Sequence, residues 1–109
     1  MCQHSFTRKW DKQIRVFERK NNQEALEKKN EALRILSLNP RGESKRLKGN
    51  LSGKRSHREG NYRVIFAYCK ECRELGDFKY NKCKNCEIYP DHNLFFFNFD
   101  NRGHSYKNR

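Results

Sequence analysis

The 109-residue chain contains no apolar run longer than a strand, and its opening Met1-Cys2-Gln3-His4 lacks the basic-then-apolar pattern of a secretory leader. The expectation is a cytoplasmic protein, neither secreted nor membrane-spanning. Apolar residues are scarce, at 34%, and this length fits one domain over residues 1–109, so the core is only just large enough to carry the fold. Any staple would therefore matter. Acidic residues are short too, with 13 Asp and Glu against 25 Lys and Arg, a formal net charge of +12. A generically solvated surface needs no such surplus, and a polyanionic partner, nucleic acid first, is expected. Repeats and low-complexity tracts are lacking as well. Aromatic residues are not: eight Phe, five Tyr and one Trp are enough to build a compact core and argue against disorder.

From Arg8 to Leu38 the apolar spacing is helical, with Trp10, Ile14 and Phe17 on one stripe and Ala25, Leu26, Ala32, Leu33 and Leu36 on another. Asn21-Asn22-Gln23 marks a break between two helices, and Asn39-Pro40 followed by Gly42 ends the second. Gly42, Gly49, Gly53 and Gly60 are then spaced as turns between short strands. Tyr62 to Tyr68 and Leu94 to Phe99 have the β-branched and aromatic character of central strands, and a short strand is expected near Gln3 to Thr7. The plan is α+β, two N-terminal helices packed on a small antiparallel sheet. Phe95, Phe97 and Phe99 alternate along one strand and are expected to share the face that packs on the helices.

Between the two strong strands lies C-x2-C-x10-C-x2-C, formed by Cys69, Cys72, Cys83 and Cys86. In a reducing compartment such pairs read first as metal ligands. Each C-x2-C turn aims two thiolates at one point, and two turns joined by a hairpin supply the tetrahedron that zinc prefers. One structural zinc ion per chain is expected, in a zinc-ribbon-like insertion over residues 69–91. Four thiolates leave no open position for catalysis, and spacing alone leaves iron as the alternative metal.

Positive charge concentrates between Asn39 and Tyr68, where eight Lys or Arg stand against Glu43 and Glu59. On a strand through this region Lys54, Ser56 and Arg58 point one way, and Arg55 and His57 the other. Lys48, Lys54, Arg55 and Arg58 are the candidate nucleic-acid-binding residues, which the family resemblance below narrows to RNA.

The order Asn39-Pro40, Arg46-Leu47-Lys48-Gly49, Ser52-Gly53-Lys54, Ser56-His57-Arg58 and Gly60-Asn61-Tyr62-Arg63-Val64-Ile65-Phe66, closed by Phe99-Asp100-Asn101-Arg102-Gly103-His104-Ser105-Tyr106, resembles the RelE/ParE superfamily of toxins. The insertion from Cys69 to about Asp91 departs from the usual hairpin of that family. The resemblance to RelE-type members implies ribosome-dependent cleavage of messenger RNA, the ribose 2′-hydroxyl attacking the adjacent phosphate without a catalytic metal. It also implies a cognate antitoxin and, through the complex, operator DNA as partners. By the same resemblance Arg63 binds the scissile phosphate, Arg102 stabilises developing charge and Tyr106 stacks on or orients a base. His104 is the nominated acid or base because imidazole titrates near neutrality, with His57 as competitor. Two rivals stand beside this reading: a gyrase inhibitor of ParE type on the same fold, and a non-catalytic zinc-ribbon RNA-binding protein.

Overall fold

Thr7 starts the first helix with its own side chain. In the computed structural model, which describes residues 3–77, 81 and 88–101, strand β1 (Gln3–Phe6) runs into helix α1 (Arg8–Arg19), and Thr7 Oγ1 accepts the Trp10 N–H at 3.1 Å. This satisfies one of the backbone donors that a helix start leaves open. Asn22 does the same for α2 (Gln23–Leu38), its side-chain oxygen accepting the Ala25 N–H at 3.1 Å. The break expected at Asn21-Asn22-Gln23 is thus a left-handed turn residue, Asn21 with φ 54°, followed by a cap.

Strands β2 (Lys45–Arg46), β3 (Arg55–Glu59) and β4 (Tyr62–Tyr68) follow, then the short helix α3 (Cys69–Leu75) and finally β5 (Asn93–Asn101). The sheet order is β1-β5-β4-β3-β2, so β4 lies at its centre. The expected antiparallel sheet is in fact mixed, because β1 pairs with β5 in parallel while every other pairing is antiparallel. The first and last strands meet, which closes the fold on itself.

One face of the sheet packs on α1 and α2. Trp10 and Ile14 from α1, with Ala32 and Leu36 from α2, meet Val64, Phe66, Leu94, Phe96 and Phe99 in one buried cluster. Each large side chain taken out of water there stabilises the fold by about 1.5–3 kcal/mol. Phe99 stacks on Tyr62 with centroids 5.2 Å apart, and Trp10 lies 5.1 Å from Phe96.

The expectation that Phe95, Phe97 and Phe99 share the helix-facing side is corrected here. Ile65 pairs with Asn98 but Phe66 pairs with Phe96, so Phe97 is an extra residue in β5. A one-residue bulge resets the alternation. Leu94, Phe96 and Phe99 therefore point at the helices, and Phe95 and Phe97 are only half-buried on the other face. The bulge sits where β1 has ended. Thr7 donates to the carbonyls of Phe96 through its N–H and of Phe97 through its hydroxyl, both at 3.0 Å, and the Gln13 side-chain oxygen accepts the Phe99 N–H at 2.8 Å. The edge left by β1 is thus hydrogen-bonded to the start of α1.

The first cysteine pair, expected in a tight metal-binding turn, lies on α3, with Cys69 and Cys72 one helical turn apart and both buried. Gly76 ends that helix in the left-handed conformation, φ 70°. Cys83 and Cys86 lie outside the described residues, as do Arg102, His104 and Tyr106.

Candidate nucleic-acid interface

The sheet sorts its basic residues onto two faces. Arg55 pairs in register with Phe66, and His57 with Val64, which places both on the helix side. Ser56 and Arg58 pair with Ile65 and Arg63, on the open side. The strand parity read from sequence holds, and it separates Arg55 from the other candidate RNA-binding residues.

Arg55 is tied into an ion-pair cluster. Its guanidinium grips both carboxylate oxygens of Glu71 on α3, with nitrogen-to-oxygen distances of 2.8–3.2 Å, and also reaches the Ser44 carbonyl at 3.2 Å. Arg46, the cross-strand partner of Arg55, donates to Glu71 at 3.1 Å and to Asp77 at 3.1 Å. Arg41 donates to Glu74 at 2.8 Å and lies 3.6 Å from Glu71. Two arginines directly opposite one another would repel, and Glu71 bridges them. Burial alone would push the Glu71 carboxyl up, but the hydrogen bond and charge of Arg55, with the charges of Arg46 and Arg41, override it and hold the group below its ordinary range. Three of the eight basic residues between Asn39 and Tyr68 thus fasten α3 to the sheet.

The open face keeps a different set. Across β3, β4 and β5 the register aligns Ser56, Ile65 and Asn98 in one row and Arg58, Arg63 and Asp100 in the next. Beside these rows lies a cleft of about 560 Å³, whose walls include Lys9 from α1, Lys48 from the turn after β2, and Arg63, Ile65, Asn98 and Asp100 from the sheet. Arg63 is 7% exposed at its wall, whereas Arg58 is exposed beside it. Lys54 sits farther along the same face, its ammonium 4.8 Å from the centre of the Phe97 ring. Of the sequence candidates, Lys48 and Arg63 line the cleft, Arg58 and Lys54 lie on the same face outside its walls, and Arg55 is on the other face.

His57, the competing acid–base candidate, is on the far side of the sheet. Its Nδ1 lies 2.6 Å from the Glu43 carbonyl and its Nε2 2.9 Å from a Glu59 carboxylate oxygen, so both nitrogens are engaged and the ring is 6% exposed. Lys9, Asn98 and Asp100 are cleft residues that sequence reading did not single out. The places of Asn98 and Asp100 beside Ile65 and Arg63 come from the β5 register, which the bulge resets. Asp100 accepts from the Gln13 side chain at 3.3 Å, which ties the cleft wall to α1.

The cysteine helix α3 follows directly on the end of β4 at Tyr68. Cys69 Sγ accepts from the Asn93 amide at 3.3 Å, and Cys72 Sγ from the Asn81 amide at 3.6 Å. Among the described residues, no group of three or more His, Cys, Asp or Glu is placed to hold a metal ion. No helix among them is long and apolar enough to cross a membrane.

The fold is similar to that of solved toxin structures. It superposes on the YoeB-YefM complex from Staphylococcus aureus with a TM-score of 0.61 at 18% identity, covering 92% of this chain and 95% of that one. A heterotetrameric YoeB-YefM toxin-antitoxin complex from the same organism gives 0.61 at 17% identity over 92% and 95% of the two chains. The YoeB/ParE toxin from Agrobacterium tumefaciens gives 0.63 at 16% identity over 91% and 96%. No protein-family model matches the sequence, and no curated protein matches it.

Proposed function

We propose that this chain is the toxin of a type II toxin–antitoxin pair and acts as a ribosome-dependent endoribonuclease on messenger RNA. The observation that carries the reading is the row of Arg58 and Arg63 beside the Lys48 and Lys9 wall of one open cleft. The fold shared with YoeB toxins and the motif order that resembles RelE-type members support it. Attack of a 2′-hydroxyl on phosphorus builds negative charge on the phosphoryl oxygens, and fixed cations in a partly buried cleft stabilise that charge more than water would. Arg63 binds the scissile phosphate, and Arg58 and Lys54 position the neighbouring backbone. Arg102, His104 and Tyr106 complete the site by sequence resemblance, as charge stabiliser, acid or base, and base-orienting ring. The implied partners are messenger RNA, ribosomal RNA and an antitoxin, as YoeB has in YefM.

The same reading keeps one structural zinc ion, held by Cys69, Cys72, Cys83 and Cys86. Two side-chain amides donating to the Cys69 and Cys72 sulfurs favour thiolate over thiol, which supports this assignment. Zinc there would fix the insertion that begins at α3 and take no part in the chemistry.

Gyrase inhibition is the second reading, favoured by the YoeB/ParE designation of the Agrobacterium tumefaciens neighbour. The purified protein, added in parallel to a translation reaction and to a gyrase supercoiling assay, decides between them. Cleaved messenger RNA with supercoiling unaffected is the expected result. Intact messenger RNA with blocked supercoiling would overturn the ribonuclease.

A further inference from the structure

We propose that Phe95, Phe97 and Tyr89 form an aromatic ledge on which a base of single-stranded RNA stacks while its backbone lies in the Arg63 cleft; this rests on the reading of that cleft as an RNA site.

The bulge makes the ledge. Without an extra residue in β5, Phe97 would keep strict alternation with Phe99 and turn into the helix-packed core. Instead Phe97 faces outward and stacks on Phe95, with centroids 5.3 Å apart and planes inclined by 24°, and Tyr89 meets Phe95 edge-on at 5.6 Å. None of the three is fully buried, in contrast to Phe96 and Phe99 at 0% exposure on the other face. The hydrogen bonds of Thr7 and Gln13 to this stretch of β5 hold the outward conformation.

Position and charge decide the occupant. Asn98 directly follows Phe97 and lines the cleft, so ledge and cleft are continuous. Lys54 holds an ammonium 4.8 Å over the Phe97 ring. An arriving base takes that place as the flexible Lys54 stem carries the ammonium to its phosphate. Lys9, Lys48 and Arg63 line the same cleft against one acid, Asp100. An apolar protein segment on the ledge would desolvate these cations and bring no negative charge of its own. A nucleotide offers a π-face to the rings and a phosphate to the cations, which is the pairing of stacking platform and basic groove that single-stranded nucleic acid uses. Stacking is indifferent to which base is present, so the ledge adds affinity without strong sequence preference.

The test uses a hexaribonucleotide with 2′-O-methyl riboses, which blocks cleavage, and one 2-aminopurine, whose emission falls when the base stacks. Binding by the wild type with quenching is expected. Phe97→Leu should weaken binding about tenfold and remove the quenching, and Phe97→Tyr should restore both. Wild type that fails to bind or to quench, or Phe97→Leu that behaves as wild type, overturns the ledge. So does a Phe97→Leu variant with unchanged RNA binding that has lost neutralisation by a co-expressed antitoxin, since the surface would then serve a protein. Messenger RNA cleavage by wild type in the translation reaction is scored separately. Cleavage without quenching removes the ledge alone, and quenching without cleavage removes the nuclease alone.

Discussion

Arg58 and Arg63 stand directly opposite one another on β3 and β4, two guanidinium side chains in register on the open face of the sheet. Like charges so placed destabilise a sheet by about 0.2–1 kcal/mol. Asp100 continues the row on the other side of Arg63 and supplies one negative charge against two positive ones. Arg58→Ala is accordingly expected to leave Tm unchanged or slightly raised while weakening RNA binding and lowering the slope of its salt dependence by about 0.7. Thermal melts and salt titrations of the same variant check both halves. A large drop in Tm would mean that Arg58 holds the sheet together instead.

Arg55 is adjacent to Lys54 in sequence and opposite in consequence. Arg55→Ala removes the main partner of a buried carboxylate, and a loss of about 2–3 kcal/mol in stability is expected, since Arg46 and Arg41 still face Glu71. Lys54→Ala should cost little stability and weaken RNA binding. Denaturant unfolding beside RNA titration separates the two, and an exchange of phenotypes would contradict the assignment of faces.

Glu71 links this cluster to pH. Its folded pKa is held below the ordinary 4.5, so the stability it contributes is fully present above pH 4.5 and is lost as pH falls from there through the depressed folded value. Melting curves of wild type and Glu71→Gln should differ most near neutrality and converge in strong acid. A gap that stays constant down to pH 2 would show that Glu71 acts by packing and not by charge.

The zinc assignment predicts about one ion per chain in protein purified without added metal. Removal by a chelator should lower Tm while the RNA affinity of the still-folded fraction is kept. Absence of metal, with Cys69, Cys72, Cys83 and Cys86 all open to alkylation, would contradict it.

Much of the scaffold was legible because local chemistry fixes it. Trp10, Ile14 and Phe17 recur at helical spacing, Asn22 and Asn39-Pro40 punctuate α2, and the β4 stretch is β-branched and aromatic throughout. The β5 orientation was not legible. Three consecutive phenylalanines look alike on either face, and their parity is set by a bulge whose hydrogen bonds come from Thr7 and Gln13, more than eighty residues earlier. The fate of Arg55 was hidden for the same reason, since Glu71 is brought to it by α3, which a pattern of cysteine turns did not suggest. Strand parity, by contrast, correctly set Ser56 and Arg58 on one face and Arg55 and His57 on the other, while the alignment of Arg58 with Arg63 emerges only from the strand register.

The most direct test is the chemistry of the cut ends when wild type and Arg63→Ala are added to translating ribosomes. Wild type should yield fragments ending in a 2′,3′-cyclic phosphate and beginning with a 5′-hydroxyl, and Arg63→Ala should lower the rate by about 100- to 1,000-fold, as loss of one charge-stabilising donor does. Intact messenger RNA with wild type, or undiminished cleavage by a folded Arg63→Ala protein, would contradict the account.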